Sequence, residues 1–286
     1  GLGSGANGIF VLTAGKPYFF GGNDPSAMVG SQIDFAQACI NENSVVDMGD
    51  AVYYAGPDGL CRITTNSAEI ISARLIDYSS WISEFEAYNY VASRHENKYV
   101  ALFSSILGGF DGFVFDPQSP DSALSLITRD AIPISLYNDE ASDNLYIVEK
   151  VDGSTNQAIK QYRAGSGLAT YSWKSKKFTA TAPVSMSWIG VYADSYPNYT
   201  GSASATPKLE VTVTADGTDI FKANISKSGN VYYQETTTPS TADISLSQPI
   251  MRLPDNRAQE WEITITGNDS VNEICLAQSM EEIITQ

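Results

Sequence analysis

Short apolar runs separated by turn residues recur along the chain. Residues 45–63, VVDMGDAVYYAGPDGLCRI, hold two such runs around one turn. Val52, Tyr53 and Tyr54 precede Gly56-Pro57-Asp58-Gly59, and Leu60, Cys61, Arg62 and Ile63 follow. Proline presets φ and Asp-Gly tolerates positive φ, so the stretch predicts a tight β-hairpin. The same plan returns at residues 90–94 and 99–103 around the polar turn HENK, with SILGGFDG leading to a third strand at 113–115. It returns again at 132–137, 145–148 and 158–162, around the turns NDEASDN and DGSTN. A partial copy lies at 9–13 and 17–20, around Ala14-Gly15-Lys16. The middle strands begin at Val52, Tyr99 and Leu145, 47 and 46 residues apart.

A period in the mid-forties with antiparallel strands in each unit is the pattern of β-propeller blades, which cannot bury both faces alone and must stack. A plain β-meander or sandwich is the rival reading, because its strands also recur at short spacing and no WD or kelch signature is present. Four units are few for a closed ring, so further blades are expected from a larger propeller or a partner chain. Helix is scarce. Asp24-Pro25 suits an N-cap with Pro at the first helical position, and YSSWISEF (78–85) predicts a second short helix with Trp81 as a plug between blades.

The pattern changes near residue 165, after the flexible AGSG of 164–167. Strands are expected at 170–178, 185–193, 208–215, 218–225, 244–246, 261–266 and 271–278. Leu209, Val211 and Val213 alternate with polar residues, as do Trp261, Ile263 and Ile265, and Ala215-Asp216-Gly217-Thr218 is a second Asp-Gly hairpin. The expected architecture is all-β: propeller-type antiparallel blades over residues 1–165, then a C-terminal β-sandwich or jelly-roll-like domain over 166–286.

Composition narrows the chemistry. The 286 residues carry a formal net charge of −16, which argues against a protein that grips nucleic acid through phosphates. No apolar run is long enough to span a bilayer as a helix, and no membrane insertion is expected. The opening GLGSGANGIF, with no basic-plus-apolar leader, reads as the interior of a longer or processed polypeptide. Cys39, Cys61 and Cys275 form neither a disulfide framework nor a zinc motif, and are expected as buried free thiols. His95 is the only histidine, so Ser-His-Asp and multi-His metal chemistry lack material.

Several motifs are weak. Gly3-Ser4-Gly5-Ala6-Asn7-Gly8 spells G-x-G-x-x-G, but a strand follows it rather than a helix, and it reads as a linker. Asp111 with Asp116, or Asp139, Glu140 and Asp143, could form a glycosidase carboxylate pair, but they flank strands or fill turns. The triplets at Asn198, Asn224 and Asn268 read as chance glycosylation matches. Between Asp152 and Asp194 there is no acidic residue, yet Lys160, Arg163, Lys174, Lys176 and Lys177 are present. They read either as lysine-protected strand edges or as an intersubunit surface for an acidic neighbour. Tyr192, Tyr196 and Tyr199 are the candidates for stacking on a sugar, should the chain be a carbohydrate-binding adhesin or receptor binder.

An ordered set of segments carries a family resemblance. GIFVLTAGKPYFFGGNDPSAM (8–28), QACINENSVVDMGDAVYYAGPDGL (37–60), SRHENKYVALF (93–103) and FDGFVFDP (110–117) supply the first part. YSWKSKKF (171–178), LPDNRAQEWEITITG (253–267) and AQSMEEI (277–283) supply the second. Together they resemble the tail hub or nozzle proteins of short-tailed bacteriophages, also called packaged-DNA stabilisation proteins. The resemblance implies a non-enzymatic virion component of the tail, a ring of six copies below the portal that extends the DNA channel and carries fibres or a plug. Its expected partners are copies of itself, the portal or adaptor, and tail fibre or plug proteins. DNA passes without specific binding, no cofactor is expected, and no residue is expected to be catalytic.

Overall fold

Antiparallel hairpins closed by short polar turns build both units of the chain, seen in a computed structural model that describes residues 1–5, 8–22, 24–104, 110–118, 124–129, 131–150, 156–165, 170–199, 209–236 and 244–284. The fold is all-β, as the sequence predicts, with several antiparallel sheets and, among the described residues, no closed barrel. It divides into two units, Gly1–Ala164 and Gly165–Gln286.

The first unit is a series of meanders. Its first sheet holds β1 (Leu2–Gly5), β2 (Gly8–Val11), β3 (Tyr18–Gly21) and β4 (Val29–Gln32). The second holds β5 (Val46–Asp47), β6 (Val52–Gly56), β7 (Gly59–Ile63) and β8 (Ala68–Ile70). The third holds β9 (Val91–His95), β10 (Lys98–Leu102), β11 (Gly112–Phe115) and β12 (Leu124–Ile127). The fourth has three strands, β13 (Ile132–Asp139), β14 (Asn144–Lys150) and β15 (Gln157–Gln161). Strand order follows chain order in every sheet, and the first strands β1, β5, β9 and β13 lie beside one another in succession.

The residues that read as a linker at 3–8 instead supply β1, with positions 6 and 7 outside the described residues. Glycine is what lets this strand approach its neighbour, for a Cβ on Gly3 would lie 2.5 Å from the Val52 side chain of β6. The hairpin of residues 52–63 is pinned from outside. Gln37 donates from Nε2 to Asp58 (2.6 Å), its Oε1 accepts from the Asp58 amide (3.1 Å), and its carbonyl accepts from Tyr54 Oη (2.9 Å). The HENK turn places Glu96 and Asn97 at φ of 49° and 58°, the conformation that closes a two-residue hairpin.

Successive sheets pack face to face. Phe10 and Leu12 of the first meet Val52, Tyr54, Cys61 and Ile63 of the second. Tyr53, Ala55 and Leu60 meet Tyr99, Ala101, Phe113 and Phe115 of the third. Val100 and Leu102 meet Leu145 and Ile147 of the fourth. Helix α1 (Tyr78–Ser83), capped by Asp77, sets Trp81 into the second of these junctions. Trp81 is fully buried, lies edge-on to Tyr90 and Phe113, and donates from Nε1 to the Gly56 carbonyl at 2.8 Å. It is the plug expected from the sequence.

The second unit is a two-layer sandwich. Its strands are β16 (Tyr171–Lys174), β17 (Phe178–Val184), β18 (Trp188–Ala193), β19 (Leu209–Ala215), β20 (Thr218–Ser228), β21 (Val231–Thr236), β22 (Ile244–Leu246), β23 (Ile250–Arg252), β24 (Ala258–Gly267) and β25 (Val271–Ala277). The larger sheet runs β16-β24-β19-β20-β21-β22 with β17 also on β24, and the smaller runs β23-β18-β25. Leu209, Val211, Val213, Trp261, Ile263 and Ile265 face Ile189, Val191, Met251 and Leu253. Helix α2 (Met280–Ile284) covers the smaller sheet, where a Cβ on Gly190 would lie 3.1 Å from Ile283. The single strand expected at 170–178 is two, because Ser175 interrupts it. Its amide donates to the Ile263 carbonyl (2.8 Å), and its Oγ accepts from the Ile263 amide (3.0 Å).

Two outcomes follow from this core. Trp81→Ala removes a buried ring and its hydrogen bond, and should lower unfolding stability by about 3–5 kcal/mol in urea titration. Burial also pushes the pKa of the Cys61 thiol up to about 12 and pushes those of the Tyr90 and Tyr99 hydroxyls upward. A group with a raised folded pKa stabilises the fold below its unfolded pKa and loses that contribution as pH rises through the folded value. Stability should therefore begin to fall above the ordinary thiol value of 9.0 and keep falling toward about 12, read as Tm against pH.

Candidate assembly surface

Each of the four sheets carries a second strand that is apolar on both faces. These strands read Gly8-Ile9-Phe10-Val11, Val52-Tyr53-Tyr54-Ala55, Tyr99-Val100-Ala101-Leu102 and Leu145-Tyr146-Ile147-Val148. A half-exposed strand would alternate, so such runs demand cover on both sides. We call the face toward the preceding sheet leading and the face toward the following sheet trailing. In the two central sheets both are buried.

The ends differ. On the leading face of the first sheet, register places Leu2 beside Val11 and Tyr18, and Ile9 beside Phe20. Leu2 is 71% exposed and Ile9 39%, whereas Phe10 on the opposite face is buried. On the trailing face of the fourth sheet, Tyr137 pairs with Tyr146 and Val148 with Ile159. The two tyrosine rings stack with centroids 6.5 Å apart. Tyr137 is 64% exposed and Ile159 73%, whereas Leu145 and Ile147 opposite are buried. The two end faces of the stack thus carry exposed apolar residues at their centres.

The closed junction between the third and fourth sheets also holds charge. Glu149, buried on the leading face of β14, is clasped by Arg129 and Lys160. The Arg129 amide donates to Asp111 Oδ2 at 2.8 Å, and the Asp111 amide donates to the Ile127 carbonyl at 2.6 Å. Asp111 thus organises the end of β12 for this ion pair. Nearby, buried His95 packs edge-on to Tyr162 with centroids 5.6 Å apart, its Nδ1 3.9 Å from Asp143. Arg163 reaches back to Glu96 at 3.0 Å. Asp116 and Asp139 accept hydrogen bonds from the Gln118 and Ala141 amides, as turn aspartates do.

The five cations between 160 and 177 split between the two units. Lys160 pairs with Glu149 and Arg163 with Glu96 in the first unit. In the second, Lys174 pairs with Glu262 (2.8 Å) and Lys177 with Glu260 (3.1 Å), while Lys176 is exposed. Four of the five thus have carboxylate partners within their own unit. The three tyrosines also take separate roles. Tyr192 lies on the α2-covered face of β18 beside Cys275. Tyr196 joins the sandwich core, accepts from the Ala193 amide and donates to the Val191 carbonyl. Tyr199 stacks on Tyr233 with centroids 3.8 Å apart. Asn224 is buried in β20, where no glycan fits.

Sequence reading alone did not single out Glu149, Arg129 or the two open faces. The signal for the faces was present in the consecutive apolar residues of β2 and β14. Nothing local marks Glu149, whose partners lie 20 residues before it and 11 after it.

No protein-family model matches the chain, and no characterised protein matches it in sequence. Among solved structures, the chain is similar to the extracellular domain of the putative one component system BT4673 from B. thetaiotaomicron, at 12% identity and a TM-score of 0.32. That match covers 85% of this chain and 34% of the other, so this chain spans about a third of that structure's length. It is also similar to the N-terminal domain of Nup159, at 10% identity and a TM-score of 0.27, over 93% of this chain and 75% of the other.

Removing the Glu149 carboxylate strands the largely buried Arg129 guanidinium at a sheet junction, while Lys160 reaches solvent. Glu149→Ala should cost about 3–5 kcal/mol in urea unfolding, and the double change Glu149→Leu with Arg129→Met should recover much of it.

Proposed function

We propose that the chain is a structural, non-catalytic subunit of an oligomeric ring, the tail hub or nozzle of a short-tailed bacteriophage. The observation that carries the reading is the pair of apolar faces left open at the two ends of the sheet stack. A leading face bearing Leu2 and Ile9, and a trailing face bearing Tyr137 and Ile159, suit a protein that works inside an assembly. The ordered resemblance of residues 8–28, 37–60, 93–103, 110–117, 171–178, 253–267 and 277–283 supplies the kind of assembly. A net charge of −16 suits a conduit wall, since like charge repels phosphates and lets DNA pass without trapping.

The role of each part follows. The stacked sheets form a rigid wall, the sandwich offers further surface for tail proteins, and no bond is made or broken. Antibodies against the chain should label the tail end of short-tailed particles in immunogold electron microscopy, and a glycan array should stay blank. Absence from tails would end the reading, and a glycan signal abolished by Tyr199→Ala would replace it with a sugar-binding adhesin.

A further inference from the structure

We infer that the open trailing face of the fourth sheet docks on the open leading face of the first sheet of a second copy, so that copies stack head to tail. The inference rests on reading the chain as an assembly subunit and names its partner. The chain already contains this contact three times. At each junction a trailing face meets a leading face across apolar residues of the second and third strands, with the first strands side by side. Phe10 and Phe19 meet Val52, Tyr54 and Cys61. Tyr53 and Leu60 meet Tyr99 and Phe113. Val100, Leu102 and Val114 meet Leu145 and Ile147.

The residues left open are the missing halves of a fourth such contact. Tyr146, Val148 and Ile159 occupy the trailing positions held by Tyr53, Ala55 and Leu60 in the second sheet. Ile9, Val11, Tyr18 and Phe20 occupy the leading positions held by Val52, Tyr54, Cys61 and Ile63. Both halves are on one polypeptide, so a second copy presents the face that each end lacks. Such a contact is heterologous, and it closes when the rotation per sheet completes a circle. The trailing face adds Lys150, Gln157 and Gln161 around its apolar centre, a polar rim around a greasy patch.

Mixing two surface variants tests the direction as well as the existence of the contact. Ile9→Arg disables the leading face and Ile159→Arg the trailing face. Both positions are exposed, and circular dichroism checks that each variant stays folded. The native chain should associate in light scattering, each variant alone should associate at least about tenfold more weakly, and an equimolar mixture should recover one-to-one pairs through the two intact faces. A native chain that stays monomeric at every concentration overturns the inference. So does either variant that associates like the native chain, or a mixture that forms no pairs. Immunogold labelling reads location independently. A monomer in solution leaves the tail reading standing, and absence from tails leaves the stacking standing.

Discussion

Cover on both faces of every sheet is the constraint on which the first unit depends. A strand such as Tyr99-Val100-Ala101-Leu102 has no polar side to turn to water, and all four of its residues are buried. One sheet of three or four strands cannot hide both of its faces, so it needs two neighbours. Each neighbour inherits the same need and passes it along. The result is a stack whose interior junctions bury their apolar residues and whose ends carry the unmet demand at Leu2, Ile9, Tyr137 and Ile159. The mode of packing inside the chain and the surface offered outside it have one cause.

Polar groups enter this stack only where they are held. Gln37 fixes the 57–58 turn with its amide, Trp81 gives its indole proton to Gly56, and Glu149 sits between Arg129 and Lys160. Apolar faces slide easily, and contacts with fixed geometry limit the sheets to one register. The Glu149 clasp belongs to the junction between the third and fourth sheets, while an aromatic cluster around Trp81 serves the junction before it. The junctions thus share a geometry without sharing residues, which is why the repeat is visible as spacing and not as a motif.

The sandwich answers the same problem differently. Its strands alternate, as in Leu209, Val211 and Val213, so one face per sheet suffices and two sheets close on each other. The smaller sheet has an apolar outer face as well, and α2 covers it through Ile283. No second copy is needed to bury that core. The two units thus differ in how their sheets are covered, and the difference is written in the period of their apolar residues.

Turn chemistry and apolar periodicity are local, and they were legible. Pro57-Asp58, Glu96-Asn97 and Asp216-Gly217 mark hairpins, the middle strands stand 46 and 47 residues apart, and Asp24 and Asp77 cap the two short helices expected. The strand at 2–5 was not legible, because its glycines look like a linker until Val52 is seen to need the space of the missing side chain. Nor were the charges between 160 and 177, which stand free in the sequence but pair with Glu149, Glu96, Glu262 and Glu260, up to 88 residues away. The amino-acid order by itself determined the strands, their turns, and that four of them need cover on both faces, since those properties depend on near neighbours. Only the tertiary structure decided which faces find cover, which charges are matched, and which two faces remain open, because each depends on what another sheet brings alongside.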